Sequence, residues 1–94
     1  MVMIFEKKLE ENDIKHRMRL PSDSNWEQLP SARETLVVRD EDNNTRNFSY
    51  SKSSGRSYLS GNGWNGFVAS KGLIVGNEIS LYKTDDFYTI KIKN

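Results

Sequence analysis

Apolar residues in this chain come in short runs, most of them alternating with polar residues, and Gly, Pro, Asn, Asp or Ser cuts each run off. Such spacing suits half-buried strands joined by tight turns and leaves little room for helix. Strands are expected over 2–9, 17–20, 35–39, 45–50, 57–59, 78–83 and 87–93. In 17–20, Met18 and Leu20 alternate with Arg17 and Arg19. The segment Thr35-Leu36-Val37-Val38-Arg39 is rich in β-branched residues, which fit a pleated surface. In 87–93, Tyr88, Ile90 and Ile92 share one face. Asp40-Glu41-Asp42-Asn43-Asn44 and Thr84-Asp85-Asp86 are turns by composition. The polar stretches 10–16 and 51–56 read as loops.

Two segments depart from strand spacing. Ser24 precedes Glu27 by three residues, a capping-box pattern, and Pro30 blocks extension. A helix of one to two turns is therefore expected over 24–29, with Trp26 and Leu29 facing inward. After Gly61-Asn62-Gly63 breaks the chain, Trp64, Phe67, Val68 and Lys71 recur at helical spacing. Gly72 then stands where a helix end favours positive φ. The sum is a mostly-β chain of about seven short strands and two short helices. Its even strand spacing points to a closed or nearly closed barrel.

Ninety-four residues make one domain, with a core that hides roughly two-thirds of the unfolded surface. Ten aromatic residues supply that core. The absence of cysteine removes disulfides, thiolate metal sites and cysteine catalysis. No apolar run approaches the ~20 residues that span a membrane as a helix, so no membrane partner is expected. Both ends are expected to be boundaries within a longer protein.

Net charge is only +1, but its distribution is uneven. No acid falls within 43–77, which holds Arg46, Lys52, Arg56 and Lys71. None falls within 14–22, where Lys15, His16, Arg17 and Arg19 crowd together. A near-neutral chain can thus carry one basic face. Lys8, Lys15, Arg17, Arg19, Lys52 and Arg56 are the cationic candidates for phosphate, and the arginines also for guanine edges. Ser51, Ser53 and Ser54 offer hydroxyls, and Gly55 close backbone approach. Asn62 and Asn65 flank a helix start, a natural phosphate seat. His16, the only histidine, joins them as a DNA contact rather than a catalytic group. Trp64 and Phe67 resemble a stacking platform for single strands, but at helical spacing they are read as core. Gly61, Gly63 and Gly66 match dinucleotide-binding spacing without the surrounding βαβ unit. No nucleophile–base pair, metal set or cofactor motif is present, so no enzyme activity and no cofactor are expected.

Several segments, in order, resemble the plant-specific B3 DNA-binding domain of auxin-response, abscisic-acid-response and reproductive-meristem transcription factors. They are Phe5-Glu6-Lys7-Lys8-Leu9 with Asn12-Asp13-Ile14, then Arg19-Leu20-Pro21, then Phe48-Ser49-Tyr50 with Ser57-Tyr58. Gly63-Trp64-x-x-Phe67-Val68 is the most specific piece, continuing into Lys71-Gly72-Leu73-x-x-Gly76-Asn77-Glu78-Ile79. The resemblance implies a seven-stranded open pseudobarrel with two short α-helices. It also implies two arms that enter the major groove of double-stranded DNA, here 15–19 and 51–58, which are the two acid-free basic stretches. The chain would then be the DNA-binding domain of a nuclear plant transcription regulator, with other transcription factors as partners through other domains. Three departures stand out: two residues are missing between Leu20 and Pro21, which is expected to shift the first arm. Asn77 replaces a commoner Asp. The tip 52–56 lacks an aromatic residue.

Three other readings compete. The barrel could serve as a protein-interaction module that has lost DNA binding. It could be the effector DNA-binding domain of a restriction endonuclease, which shares the pseudobarrel. More distantly, its tryptophans and tyrosines suit a carbohydrate-binding β domain.

Overall fold

The computed structural model describes residues 1–31 and 33–93. In chain order they form β1 (Val2–Lys8), α1 (Glu11–Lys15), β2 (Met18–Arg19), a 3-10 turn (Trp26–Gln28) and β3 (Glu34–Arg39). Then follow β4 (Thr45–Ser53), β5 (Arg56–Ser60), α2 (Gly61–Lys71), β6 (Glu78–Lys83) and β7 (Tyr88–Lys93). The strands make one curled sheet in the order β1-β6-β7-β3-β4-β5-β2. Pairing is antiparallel except between β3 and β7. This is the mostly-β, seven-stranded open pseudobarrel with two α-helices that the sequence implies.

The sheet does not close through a strand ladder. Instead single bonds tie edge strand β1 to β2 and to the segment that follows it. The Lys7 ammonium donates to the Arg19 carbonyl at 2.6 Å, and the Asn25 N–H donates to the Ile4 carbonyl at 2.8 Å. Alternate residues of the strands point inward to one core, in which Phe5, Leu36, Val38, Phe48, Tyr50 and Ile90 are buried. From α2, Trp64 and Phe67 insert against Phe48, at ring separations of 5.5 and 5.7 Å. Offset and edge-on aromatic pairs of this kind add about 0.5–1.5 kcal/mol beyond area burial. Trp64 and Phe67 are therefore core, as read from their spacing. α2 also comes very close to β4: a Cβ on Gly63 would sit 1.7 Å from the Asn47 carbonyl oxygen. Only glycine fits there.

Four local expectations are corrected. The stretch 10–16 is no loop, because 11–15 forms α1. Its start is held by the Asp13 carboxylate, which reaches back from the third helical position to accept the Glu10 N–H at 2.7 Å, the acid's half of a capping box. The helix expected over 24–29 is only a 3-10 turn. Ser24 spends its hydroxyl as a donor to the Pro21 carbonyl, at 2.6 Å, leaving no cap. Leu29 is buried but Trp26 is 41% exposed, its indole N–H donating to the Ser22 carbonyl. The stretch 51–56 is mostly strand, since β4 and β5 pair out to Ser53 opposite Arg56. Gly61-Asn62-Gly63 belongs to the first turn of α2 rather than breaking the chain before it. The helix does end at Gly72 with φ 59°, as expected.

Candidate nucleic-acid interface

The second arm is a two-stranded ribbon. At its tip Ser54 and Gly55 both have positive φ, 53° and 77°, the geometry that a two-residue hairpin turn needs to match strand twist. Side chains alternate along the ribbon. Tyr50, Ser57 and Leu59 are buried on the core face. Ser51 and Ser53 on β4 therefore share the outer face with Arg56 and Tyr58 on β5, through the cross-strand pairs Ser51–Tyr58 and Ser53–Arg56. Lys52 pairs with Ser57 and lies on the opposite face.

The first arm leaves α1 at His16 and is anchored at once. Met18 pairs with Leu59 and Arg19 with Tyr58, and the Leu20 N–H donates to the Ser57 carbonyl at 2.9 Å. The missing residues after Leu20 therefore do not prevent the two arms from joining. Asp13 organises the approach from beneath. Only 3% exposed, its carboxylate accepts Lys7 at 3.0 Å, the Glu10 N–H and the Arg19 N–H at 3.3 Å. Its carbonyl accepts the Trp64 indole N–H at 2.8 Å. No buried side-chain polar atom among the described residues lacks a partner.

These elements enclose a cleft of about 470 Å³ lined by Lys7, Asn12, His16, Arg17, Arg19, Arg56 and Tyr58, with Glu10 and Asp13 at its wall. The guanidinium of Arg17 lies over the Tyr58 ring, 3.7 Å from its centre, so a residue of each arm meets in a cation–π contact. Among the described residues, Arg17, Arg19, Arg56 and Lys52 form no ion pair. Their charge is open to a ligand.

The sequence-derived candidates divide accordingly. His16, Arg17, Arg19 and Arg56 meet in the cleft. Lys8 lines a neighbouring depression that shares Lys7, Glu10 and Arg19 with it. Ser51, Lys52, Ser53 and Ser54 continue along the ribbon to its tip. Lys15 is exposed and ion-paired with Glu11 one turn earlier, at 2.6 Å. Asn62 and Asn65 do not join the cleft. Asn62 lines a separate polar depression with Thr35, Thr45, Asn47 and Ser49, and Asn65 is exposed on α2. Lys7, Asn12 and Tyr58 lie in the cleft but were not among the candidates. Tyr58 had a signal: it alternates with buried Ser57 and Leu59 and so must face away from the core. Lys7 had none, since its role depends on Asp13 and on the far edge of the sheet. At position 77, the Asn Oδ1 accepts the Ile74 N–H at 2.9 Å, a turn bond that an Asp could make equally.

The other cations of 43–77 are committed elsewhere. Arg46 pairs with Asp40 at 3.2 Å and donates to the Ser70 hydroxyl. Lys71 pairs with Asp42 and lies 3.8 Å from Asp40. Burial by itself would raise the Asp40 pKa, but the N–H groups of Asn44 and Asp42 with Arg46 and Lys71 together hold it below its ordinary value of 3.8. The hydrogen bond to Asp42 in turn raises the pKa of Lys71.

An open, curled half-barrel that joins two cationic arms over one cleft defines a pseudobarrel of the nucleic-acid-binding class. The chain belongs to the B3 DNA binding domain family, whose model matches residues 5–94. It is similar to the structure of an Arabidopsis FUS3–DNA complex, at 24% identity over 98% of this chain and 97% of that one, with a TM-score of 0.81. An Arabidopsis thaliana LEC2–DNA complex is 26% identical over 98% of this chain and 93% of that one, with a TM-score of 0.76. A hypothetical Arabidopsis thaliana protein is 20% identical over 96% and 88%, with a TM-score of 0.76. No curated protein matches the chain in sequence. The chain is thus a DNA-binding domain of the kind found in plant transcription factors, and the interaction-module and restriction-endonuclease readings are not favoured.

Proposed function

We propose that this domain grips double-stranded DNA in the major groove with both arms at once, as part of a longer nuclear transcription regulator. The observation that carries the reading is the joining of the arms: β2 pairs with β5 and Arg17 stacks on Tyr58 over a single cleft. A two-stranded ribbon such as β4–β5 is narrow enough for the ~12 Å major groove. The FUS3 and LEC2 structures, of the same fold, are complexes with DNA, which supports placing the duplex here. Arg17, Arg19 and Arg56 are assigned to base edges or phosphates within the cleft. Lys8, Lys15, His16, Ser51, Lys52, Ser53 and Ser54 are assigned to the flanking backbone. Asn62 and Asn65, on a separate surface, are retained only for a phosphate further along the duplex. Other transcription factors would be met through segments outside this domain.

The test is a titration of a duplex selected from random sequence, and of its scrambled counterpart, at several salt concentrations. Specific binding that weakens steeply with salt is expected. If neither duplex binds at low salt, or if neutralising both arms together leaves binding intact, the assignment is wrong. The domain is further proposed to perform no chemistry on DNA, so incubation with duplex and magnesium should leave the strands whole. Cleavage that co-purifies with the protein would overturn this.

A further inference from the structure

The tip of the second arm carries no aromatic residue, yet an aromatic ring stands at its base, against the one arginine that crosses from the first arm. We infer that Tyr58 is a positioning residue for recognition: its ring fixes the guanidinium of Arg17 so that Arg17 reads one guanine of the target. This rests on the proposed function and goes further, naming a base and the residue that sets its reader.

Arg17 is exposed, and a long exposed side chain ordinarily samples many rotamers, losing that freedom when it binds. Here the guanidinium sits 3.7 Å over the Tyr58 ring. The backbone that carries Tyr58 is held on both sides, paired with Ser51 on β4 and with Arg19 on β2. The neighbours of the ring on that face are thus fixed by register. Cation–π stacking engages the flat face of the guanidinium and leaves its N–H edge unused. Among the described residues that edge has no carboxylate partner, unlike Lys7, Lys15, Arg46 and Lys71. A planar donor fork held flat with its edge free matches the paired acceptors N7 and O6 that guanine shows in the major groove. Arg19 and Arg56 line the same cleft but, among the described residues, neither sits over a ring, so their charge suits phosphate.

The substitutions Tyr58→Leu, Tyr58→Phe and Arg17→Lys separate this role from a merely structural one. Each protein is first melted, then titrated with the selected duplex, the scrambled duplex, and selected duplexes carrying 7-deazaguanine at one guanine at a time. The parent should lose affinity at one such position, where N7 is missing. Tyr58→Leu should cut the preference for the selected site by about tenfold, ~1.4 kcal/mol, and become insensitive to 7-deazaguanine there. Its salt dependence should stay unchanged, since no phosphate contact is lost. Tyr58→Phe keeps the ring face and should retain both preference and sensitivity. Arg17→Lys keeps the charge and should lose both. If Tyr58→Leu melts early, the contrast between Tyr58→Phe and Arg17→Lys still decides. Site preference and 7-deazaguanine sensitivity unaltered in Tyr58→Leu or in Arg17→Lys would overturn this inference while leaving the DNA-binding reading intact. A parent that binds no duplex would remove both.

Discussion

Arg46 and Lys71 occupy the same acid-free stretch of sequence as Lys52 and Arg56, yet the fold puts the two pairs to opposite uses. Near the 40–44 turn, Arg46 and Lys71 close on Asp40 and Asp42, tying β4 and the end of α2 to that turn. In the arms, Lys52 and Arg56 form no ion pair among the described residues, and Arg17 meets a ring instead of a carboxylate. Chain-local charge density is therefore a poor guide to a binding face. What matters is whether topology brings an acid alongside, and here the turn between β3 and β4 brings Asp40 and Asp42 to Arg46 and Lys71 only. One end commits Arg46 and Lys71 to ion pairs, whereas in the arms Arg17, Arg19, Lys52 and Arg56 stay unpaired among the described residues.

Both ends rest on the wall made by α2, so the most damaging change should abolish the contrast altogether. Phe67→Ala removes a fully buried ring from the Phe48–Trp64 cluster and should cost about 3–5 kcal/mol. A urea melt as stable as the parent's would show that α2 does not carry the core. Next, Asp40→Asn should cost about 1–3 kcal/mol by weakening bonds to a buried charged acceptor, without altering DNA affinity. Because the folded pKa of Asp40 lies below its ordinary 3.8, the unfolded chain takes up the proton first as pH falls. The contribution is thus complete above that value and drains away below it. Parent and variant should differ at neutral pH and converge in strong acid; a constant gap would discount the ion-pair account.

On the other side of the comparison, Arg56→Ala should leave the melt unchanged and lower affinity for a selected duplex by about 1–3 kcal/mol if it meets a base. If it meets a phosphate instead, selected and scrambled duplexes should weaken alike. The smallest effect is expected from Lys52→Ala, which should flatten the slope of log affinity against log salt by about 0.9. Lys71→Ala should leave that slope alone. Equal flattening by the two lysine variants would erase the distinction between the regions.

Much of the architecture was legible because strands write their burial in alternation. Tyr88, Ile90 and Ile92 face the core or its edge, and β6 spans the residues that the pattern marks. The helices were less legible. α1 is short and mostly polar, and the Asp13 carboxylate that reaches back to hold its start takes its other bonds from Lys7 and Arg19, six residues away on either side. Over 24–29 the capping pattern was present but Ser24 turned back to Pro21, so a local signal lost to a local competitor. The site was half visible. The arms appear as acid-free stretches, but the fate of each cation depends on cross-strand register, which alternation does not encode. Hence, of the residues that line the cleft, Arg17 and Arg56 were among the candidates, Tyr58 and Lys7 were not, and Arg46 and Lys71 looked available when they are ion-paired.

The stitched seam between β1 and β2 has a dynamic consequence. β2 is two residues long and has a ladder on one side only, whereas β6 and β7 are each paired along six positions. Local opening draws on the least-supported elements, with free energies far below that of global unfolding. Native-state hydrogen exchange should therefore find the amides of Met18 and Arg19 releasing first and those of β6 and β7 last. The first arm would be able to lift from the sheet and settle again while the rest of the domain stays folded. A clasp of this kind can shift its position without disturbing the frame that carries it.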